Sequence, residues 1–216
     1  MYNGLMKIIV LDQVDSTHSY LKNHIQTEGF LEPLCIATTL QTNGIGSRGN
    51  VWIGQRGNLF FSFVLKKSSL PHDLPLQSAS IYFSYILKMI LEEKGSKIWL
   101  KWPNDFYADN KKIGGTITSV NSELIYCGIG LNLEKVDEEY GHLDIKMSPN
   151  DILNDYFLKL EKLILWKHIF SEFKIEFQKS RFFKSTVNGE KVSLKNAVLN
   201  DDGSVSLGDK KVFSLR

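Results

Sequence analysis

Short apolar runs rich in β-branched residues divide this chain, and they constrain its fold more than any other feature. Six of them are typical of buried strands. They are MKIIVLDQV, PLCIATTLQ, GNLFFSFVLKK, KIWLKW, KKIGGTITSV and ELIYCGIGLNL. Three other segments, residues 16–29, 76–94 and 150–181, carry apolar residues at helical spacing. We therefore predict an α+β fold, a mixed β-sheet with helices packed against it.

Local signals set the ends of the helices. Ser16 or Thr17 can cap the first helix and Gly29 ends it, while Gly95 stops the second. On the first helix, Tyr20, Leu21, His24 and Ile25 are predicted to fall on one face. The third segment contains no glycine or proline, so it predicts one long helix or two joined near Trp166.

The chain changes character after Lys184. Asn188-Gly189 and Asp202-Gly203 are strong hairpin turns between short strand-like runs. Four short strands in about thirty residues predict a small barrel, which is below the size that folds alone and should dock on the larger part. The predicted domains are residues 1–183 and 184–216.

Composition excludes several classes of protein. The 26 basic and 24 acidic residues give a formal net charge of +2 and are spread along the chain, which argues against a polyanion-binding surface. The two cysteines, Cys35 and Cys127, lie in strand-like runs and predict buried thiols in a reducing compartment. We find no signal-peptide pattern at the N-terminus and no apolar run near the ~20 residues of a membrane span. A cytoplasmic protein without membrane contact is expected.

A glycine-rich stretch, QTNGIGSRGN at residues 41–50, lies between two strand-like runs. It matches neither the Walker pattern nor GxGxxG. Three interpretations remain from the residues alone: a hairpin turn, a phosphate-cradling loop, or a loop that folds over a small ligand.

Two further segments have unusual chemistry for their place. In KWPNDFY, residues 101–107, the proline must end the strand, and the segment is either a plain turn or a site. Lys101 is unusual in an apolar strand end unless its ammonium group meets an anion. In KKIGG, Gly114 and Gly115 weaken a strand unless something approaches the backbone closely. A lysine beside them could hold a carboxylate or a phosphate, although Lys111 and Lys112 would by default be solvated.

These motifs occur together in one order. An ST helix start, the loop Q-x-x-G-x-G-x-R-G-x-x-W, KWPND, KKIGG and GIGLN follow one another at the spacing found in biotin–protein ligases. The chain resembles that family from about Ile8 to Arg216. The resemblance implies a catalytic domain like that of class II synthetases, followed by a small SH3-like barrel.

The resemblance also implies a reaction. Members of the family activate biotin with ATP to give biotinyl-5′-AMP, and then transfer biotin to a lysine of a biotin carboxyl carrier protein. The chemistry must offset two negative charges and hold them in line. By resemblance, Lys112 contacts the biotin carboxylate and the α-phosphate, and Asp105 and Arg48 join it as catalytic residues. Asn104, Asn132, Arg48 and Lys112 would bind ATP, with Asp105 and Asn132 at Mg²⁺.

The predicted biotin site follows the same resemblance. Its residues are Ser16, Thr17, His18, Gln41, Gly44, Ile45, Gly46, Ser47, Trp52, Lys112, Gly114 and Gly115. The glycine loop would close over the adenylate and exclude water from it. The loop departs from the common GRGRRG at Ile45 and Ser47, and His18 replaces the asparagine of an STN triplet. We expect weaker retention of the adenylate, or compensation by Arg48.

Other functions are weighed beside this one. Lipoate–protein ligases share the architecture, but their R-R-x-S-G-G-G stretch is not found here. A DNA-binding repressor would need a domain ahead of Asp15, for which there is no room, so no DNA partner is expected. A non-catalytic biotin-binding protein would not need Lys112, Asp105 and Asn132 together. A homodimer is possible.

Overall fold

The fold is seen in a computed structural model that describes residues 6–46, 51–52, 54–135, 138–187 and 189–213. Nine strands precede the long helical segment. They are β1 (Lys7–Leu11), β2 (Leu34–Thr38), β3 (Gly44–Ile45), β4 (Val51–Trp52), β5 (Leu59–Lys66), β6 (Trp99–Lys101), β7 (Asp105–Ala108), β8 (Lys111–Asn121) and β9 (Leu124–Leu131). Seven of them form one sheet in the order β1-β2-β5-β9-β8-β7-β6, and β3 pairs with β4 separately. The β1–β2 pair is parallel and the other pairs of the large sheet are antiparallel, so the predicted mixed sheet is confirmed.

Strand β7 was not predicted from the sequence. Pro103 follows a cis peptide bond, and β6 ends at Lys101 as the proline requires. The chain then turns back and pairs with β6, Lys101 opposite Asp105. The segment KWPNDFY is therefore a tight hairpin whose turn lies beside the candidate site.

Four helices cover the sheet: α1 (Thr17–Glu28), α2 (Ala79–Glu93), α3 (Pro149–Leu160) and α4 (Trp166–Ser180). The second of the two alternatives for the 150–181 segment is confirmed, since α3 and α4 are separate. The break is fixed at the start of α4, where the Trp166 backbone N–H donates to the Asp73 carboxylate at 2.9 Å.

Helix α1 is capped as predicted. The Ser16 hydroxyl accepts from the Ser19 N–H at 3.3 Å, and Gly29 ends the helix with φ 78°. Its buried residues are Thr17, His18, Leu21 and Ile25, whereas Tyr20 is 42% exposed and lies at the edge of the buried face. The buried face is turned toward Thr17 and His18 because these two residues meet the cavity described below.

The two faces of the sheet carry different layers. Helices α2, α3 and α4 cover one face and bury the main core, in which Phe61 and Phe63 pack on Phe83, Tyr156 and Phe157. Helix α1 covers part of the other face with a smaller cluster of Leu21, Ile25, Leu34, Ile36, Val64 and Tyr126. The rest of this second face is left for a cavity.

The C-terminal region forms two small sheets. Strands β10 (Lys184–Val187) and β11 (Glu190–Ser193) make a hairpin, and β12 (Val198–Leu199), β13 (Val205–Leu207) and β14 (Lys210–Val212) make a three-stranded sheet. There are thus five strands rather than four in the described part, and neither sheet closes into the predicted barrel. Leu194, Ala197 and Val205 belong to the main core, so the region packs on the rest of the chain.

Among the described residues, no helix is long and apolar enough to cross a membrane.

Candidate functional site

A cavity of about 600 Å³ opens on the face of the sheet that α1 only partly covers. It collects residues from the start of α1, the β3–β4 hairpin, the sheet and the C-terminal hairpin. Eleven of the predicted site residues line it: Ser16, Thr17, His18, Gln41, Ile45, Gly46, Trp52, Asn104, Asp105, Lys112 and Gly115. Motifs that are spread over about a hundred residues of sequence therefore meet at one place.

Small residues on β5 and β9 leave room for this cavity. Alternate residues of a strand point to opposite faces, and here Ser62, Gly128 and Gly130 face away from the main core. A Cβ atom at Gly128 would lie 3.0 Å from the Ser62 hydroxyl and 3.2 Å from His18 Nδ1. Any larger side chain at position 128 would therefore fill the floor of the cavity.

The floor also carries a hydrogen-bond network between α1, the loop and β5. Gln41 Oε1 accepts from the Thr17 N–H at 2.8 Å and from the Thr17 hydroxyl at 3.0 Å. The Thr17 hydroxyl also lies 2.9 Å from that of Ser62. Since the threonine has one hydroxyl hydrogen and gives it to Gln41, Ser62 must donate to Thr17. Ser62 therefore keeps its lone pairs available to accept hydrogen bonds from a ligand.

His18 adds a neutral imidazole to this floor. Its side chain is buried, and Nδ1 has no hydrogen-bond partner among the described residues. Burial, together with the nearby charge of Lys22, lowers the pKa of His18 to about 4. The ring is therefore uncharged at neutral pH, and it can donate or accept one hydrogen bond.

A second part of the cavity is charged. The Asp105 carboxylate lies between two lysines, with Oδ2 at 2.7 Å from Lys101 Nζ and Oδ1 at 2.6 Å from Lys112 Nζ. Burial opposes ionisation of Asp105, but the two ammonium groups outweigh it and lower the pKa of the carboxyl below its usual value. The sequence predicted an anion beside the Lys101 ammonium group, and Asp105 is that anion.

Trp52 forms a wall beside Lys112. The lysine Nζ lies 5.4 Å from the centroid of the indole ring, and the Tyr140 ring is tilted against the indole with its centroid 6.4 Å away. A Cβ atom at Gly130 would come within 3.2 Å of Trp52, so the glycine allows the indole to lie on the sheet. Gly44 and Ile45 pair with Trp52 and Val51, and Ile45 and Gly46 line the cavity, so the described part of the predicted loop lies beside it. Ser47 and Arg48, predicted in this loop, lie outside the described residues.

The remaining predicted residues divide into those at the cavity and those behind it. Asn104 lines the cavity, and its side-chain amide donates to the Thr116 carbonyl. Gly44 and Gly114 do not line it. A Cβ at Gly114 would lie 2.5 Å from the Gly130 carbonyl oxygen, and one at Gly44 would lie 2.7 Å from Gln41 Nε2. These two glycines allow close backbone packing behind the cavity wall.

Asn132 lies away from the cavity lining. It is buried, and its side-chain amide donates to the Gly141 carbonyl at 3.1 Å. Its backbone carbonyl accepts from Leu143 at 2.8 Å. In this structure Asn132 holds the segment that carries Tyr140 and Leu143 against the sheet.

The described residues do not form a ready metal site. No group of three or more His, Cys, Asp or Glu residues that could hold a metal ion occurs among them. Asp105, one of the two predicted Mg²⁺ ligands, is already neutralised by two lysines, and Asn132 is not at the cavity.

Several lining residues were missed from the sequence. They are Ser62, Thr116, Ile117, Gly128, Ile129, Gly130, Thr186, Gly189 and Lys191. The sequence carried a signal for Gly128 and Gly130. In YCGIGL these glycines alternate with larger residues, which leaves one face of the strand without side chains. The C-terminal residues gave no local signal, because only the docking of the hairpin brings them to the cavity.

With this fold and site, the chain belongs to the Biotin/lipoate A/B protein ligase family, whose model matches residues 10–132. Its curated relatives include the bifunctional ligase/repressor BirA of Bacillus subtilis, 26% identical over 136 residues, and that of Escherichia coli, 29% identical over 146 residues. Both alignments cover 61% of this chain but only 41% and 42% of those proteins. The chain therefore spans about two fifths of the length of these relatives.

Solved structures match over nearly the whole chain. The biotin acetyl coenzyme A carboxylase synthetase of Helicobacter pylori, with bound biotinylated ATP, is 37% identical with a TM-score of 0.92 and covers 97% of this chain and 100% of that one. The biotin protein ligase of Aquifex aeolicus, in complex with biotin and ATP, shares the fold at 22% identity, with a TM-score of 0.73 and coverage of 97% of this chain and 98% of that one.

Proposed function

We propose that this protein is an ATP-dependent biotin–protein ligase. It would form biotinyl-5′-AMP from biotin and ATP, and then transfer biotin to a lysine of a biotin carboxyl carrier protein. The observation that carries the proposal is the composition of the cavity. One continuous space joins a neutral hydrogen-bonding floor to a lysine that is paired with a carboxylate.

The neutral floor suits the ureido ring of biotin. That ring offers two N–H donors and one carbonyl acceptor, and the lone pairs of Ser62 and the uncharged imidazole of His18 face the same space. Thr17 and Gln41 fix this arrangement through their own hydrogen bonds. Ser16 lies beside them, and Ile45 and Gly46 form the rim at the cavity mouth.

The charged part suits the carboxylate that reacts. When an anionic ligand enters, Lys112 can leave Asp105 for it, because Lys101 stays 2.7 Å from the other carboxylate oxygen of Asp105. Asp105 is then not left as a buried unpaired charge, which would be costly. Lys112 is also 28% exposed in its side chain, so its ammonium group can reach into the cavity.

The reaction balances in two steps. A biotin carboxylate oxygen attacks the α-phosphorus of ATP, the bond from this phosphorus to the bridging oxygen breaks, and pyrophosphate leaves. The neutral amine of the carrier lysine then attacks the carbonyl carbon of the mixed anhydride and loses a proton, and AMP leaves. Lys112 would offset the charge that both anions bring together in the first step.

Further parts of the proposal rest on resemblance. We propose Arg48 and Ser47 as parts of a loop that closes over the adenylate, and Asn104 as a nucleotide contact. We propose that Mg²⁺ arrives with the ATP phosphates. Since the described residues form no ready metal site, no step is assigned to the metal.

The organisation of the chain adds three proposals. We propose that residues 184–216 form an SH3-like unit on a catalytic domain of residues 1–183, supported by the two small sheets that pack on the main core. We propose a cytoplasmic enzyme, supported by two buried cysteines without a disulfide. We propose a homodimer.

The test is biotin-dependent exchange of labelled pyrophosphate into ATP by the purified chain with Mg²⁺. Exchange with biotin and not with lipoate is expected, because lipoate has no ureido group to meet Ser62 and His18. Exchange with lipoate alone would assign the chain to the other branch of its family. Absence of exchange with both acids would overturn the enzymatic proposal in favour of a binding protein.

A further inference from the structure

Strand β6 lies at one edge of the large sheet and pairs with β7 on one side only. Along a strand, successive backbone N–H groups point to opposite edges. Leu100 and Trp102 are two residues apart, so both present their N–H groups to the open edge. A buried N–H group at such an edge is costly unless it finds an acceptor.

Two side chains of α4 supply these acceptors. The Leu100 N–H donates to Glu176 Oε2 at 3.2 Å, and the Trp102 N–H donates to the Ser180 hydroxyl at 3.0 Å. Glu176 and Ser180 are four residues apart in the helix, so they lie on one face of it. Four residues of a helix rise about 6 Å and two residues of a strand about 6.6 Å, so the two acceptors match the two donors. Helix α4 therefore stands where a further strand would pair.

Glu176 is itself fixed by a buried lysine. Its side chain is 9% exposed, and its Oε1 lies 3.6 Å from Nζ of Lys88 on α2. Lys88 also lies 2.5 Å from the half-exposed Glu92 and over the ring of Tyr85. A buried carboxylate needs such partners. The glutamate is thus held by a cation at one oxygen and by the edge of β6 at the other.

Lys101 lies between the two residues that α4 holds. Its side chain is buried, and it is directly opposite Asp105 across β6 and β7, so both side chains lie on the cavity face. Lys101 contacts Asp105 at 2.7 Å, and Lys112 contacts the other carboxylate oxygen. The place of the Asp105 carboxylate in the cavity therefore depends on where the backbone of residues 100–102 lies.

We propose that Glu176 and Ser180 are positioning residues for the reaction. They fix the backbone on both sides of Lys101, and Lys101 in turn holds Asp105 in place when Lys112 leaves it for the ligand. The inference rests on the proposed function and extends it to two residues that do not line the cavity. The alternative is that both side chains only stabilise the packing of α4 on the sheet.

A displaced β6 should affect one part of the cavity and spare the other. The neutral floor is built from Thr17, Gln41 and Ser62, which belong to α1, the following loop and β5. The charged part includes Lys101 and Asp105 on the β6–β7 hairpin. Loss of positioning should therefore lower kcat and leave the KM for biotin nearly unchanged, whereas loss of folded protein would not select between them.

The test uses four variants of the full chain. Glu176→Leu and Ser180→Ala each remove the acceptor from one N–H group, and Lys88 keeps Glu92 as its partner in both. Glu176→Gln is the conservative variant, since its amide oxygen can still accept from Leu100. Ile169→Ala is the matched control, because it opens a void in the main core about two turns earlier in the same helix. The kcat and KM of biotin-dependent pyrophosphate exchange are measured below all unfolding transitions, together with each melting temperature.

We expect Glu176→Leu to lower kcat about tenfold and Ser180→Ala about threefold, with the KM for biotin within about twofold of the wild type. Glu176→Gln should restore most of kcat. Ile169→Ala should lower the melting temperature without lowering kcat. Unchanged kcat in both Glu176→Leu and Ser180→Ala would overturn the inference, and so would an equal loss of kcat in Ile169→Ala.

A second measurement does not depend on activity. The NMR signal of the Asp105 carboxyl carbon reports the ammonium groups beside it, so it should move in Glu176→Leu and Ser180→Ala and stay in place in Ile169→Ala. These shifts in a protein without biotin-dependent exchange would support the positioning and reject the proposed ligase. A signal that stays in place in both variants would overturn the positioning, whatever the activity.

Discussion

The two faces of the central sheet are formed by neighbouring residues of the same strands, but one face carries large aromatic side chains and the other carries small or polar ones. On the face toward α2 and α3, Phe63 packs edge-on against Phe83 at a centroid distance of 5.0 Å, and Phe61 packs against Tyr156 at 5.3 Å. On the other face the adjacent positions carry Ser62, Gly128 and Gly130, which leave the cavity open. The same strands therefore supply part of the aromatic core on one face and the floor of the cavity on the other.

The comparison shows how the sheet separates stability from chemistry. Aromatic side chains on one face bury large areas and hold the strands in register with the helices. Polar and small residues on the other face leave hydrogen-bonding groups free for a ligand. Because a strand alternates its side chains, a change at one position should affect one property and its neighbour the other.

The largest effect is expected at the charged end of the cavity face. Lys112→Ala should lower biotin-dependent pyrophosphate exchange by about 10³-fold, since it removes the charge that offsets the two anions. The melting temperature should change little, because Asp105 keeps Lys101 as its partner. Lys111→Ala is the matched control, since the neighbouring lysine is exposed and its ammonium group donates to the Glu138 carbonyl outside the cavity lining. Similar losses in the two variants would contradict the assignment.

The next prediction compares two adjacent residues of β5, Phe63 on the core face and Ser62 on the cavity face. Phe63→Ala should lower the free energy of unfolding by about 3–4 kcal/mol, because it opens a void in the aromatic core. Biotin affinity, measured by calorimetry below the unfolding transition, should stay within about twofold. Ser62→Ala should do the reverse, with a weaker biotin Kd and a stability change under about 1 kcal/mol. Loss of both properties in both variants would mean that the faces are not separable.

Much of the fold could be predicted from strand and helix patterns. The spacing of apolar residues within a segment indicates which side of that helix or strand is buried, without any information from distant parts of the chain. The mixed sheet, the cap at Ser16, the end at Gly29 and the split near Trp166 are of this kind. Strand β7 was missed because its residues follow a proline and read as a turn. The closed barrel is not seen, since strand count alone does not fix how short strands pair.

The site was predicted less evenly. Residues in the motifs, such as Gln41 and Lys112, lie together at the cavity, and their binding roles remain predictions. Asn132 was expected at the phosphates, but its amide supports a segment behind the wall. Lys191 was missed, since its place depends on contacts made by Trp102 more than eighty residues earlier.

A pH prediction concerns the imidazole on the cavity face. The native pKa of His18 is about 4, below the ordinary 6.5, so the unfolded chain binds a proton between these values that the native chain does not. Stability should therefore fall as pH drops from about 6.5 toward 4, with a contribution from His18 on the order of 3 kcal/mol. Urea unfolding at pH 7, 5.5 and 4.5 measures this slope.

The control for that slope is His18→Asn, which keeps a polar side chain without a titrating ring. The variant should lose much less stability than the wild type over the same range, while the other four histidines contribute equally to both proteins. Parallel stability curves for the two proteins would show that His18 is not held neutral by the fold.

The smallest expected effect tests how closely the floor of the cavity is fitted. In Gly128→Ala the new methyl group would lie 3.0 Å from the Ser62 hydroxyl and 3.1 Å from Ile117, so it would stand on the floor and press on both. We expect biotin affinity to fall about tenfold, equivalent to about 1.4 kcal/mol, because the floor loses depth and the Ser62 hydroxyl is displaced. Unfolding should shift by less than this, since the side chains that the methyl contacts lie on the cavity face of the sheet rather than in the main core. A variant that binds biotin normally but unfolds more easily would show that Gly128 serves packing between strands, and that the cavity floor lies elsewhere.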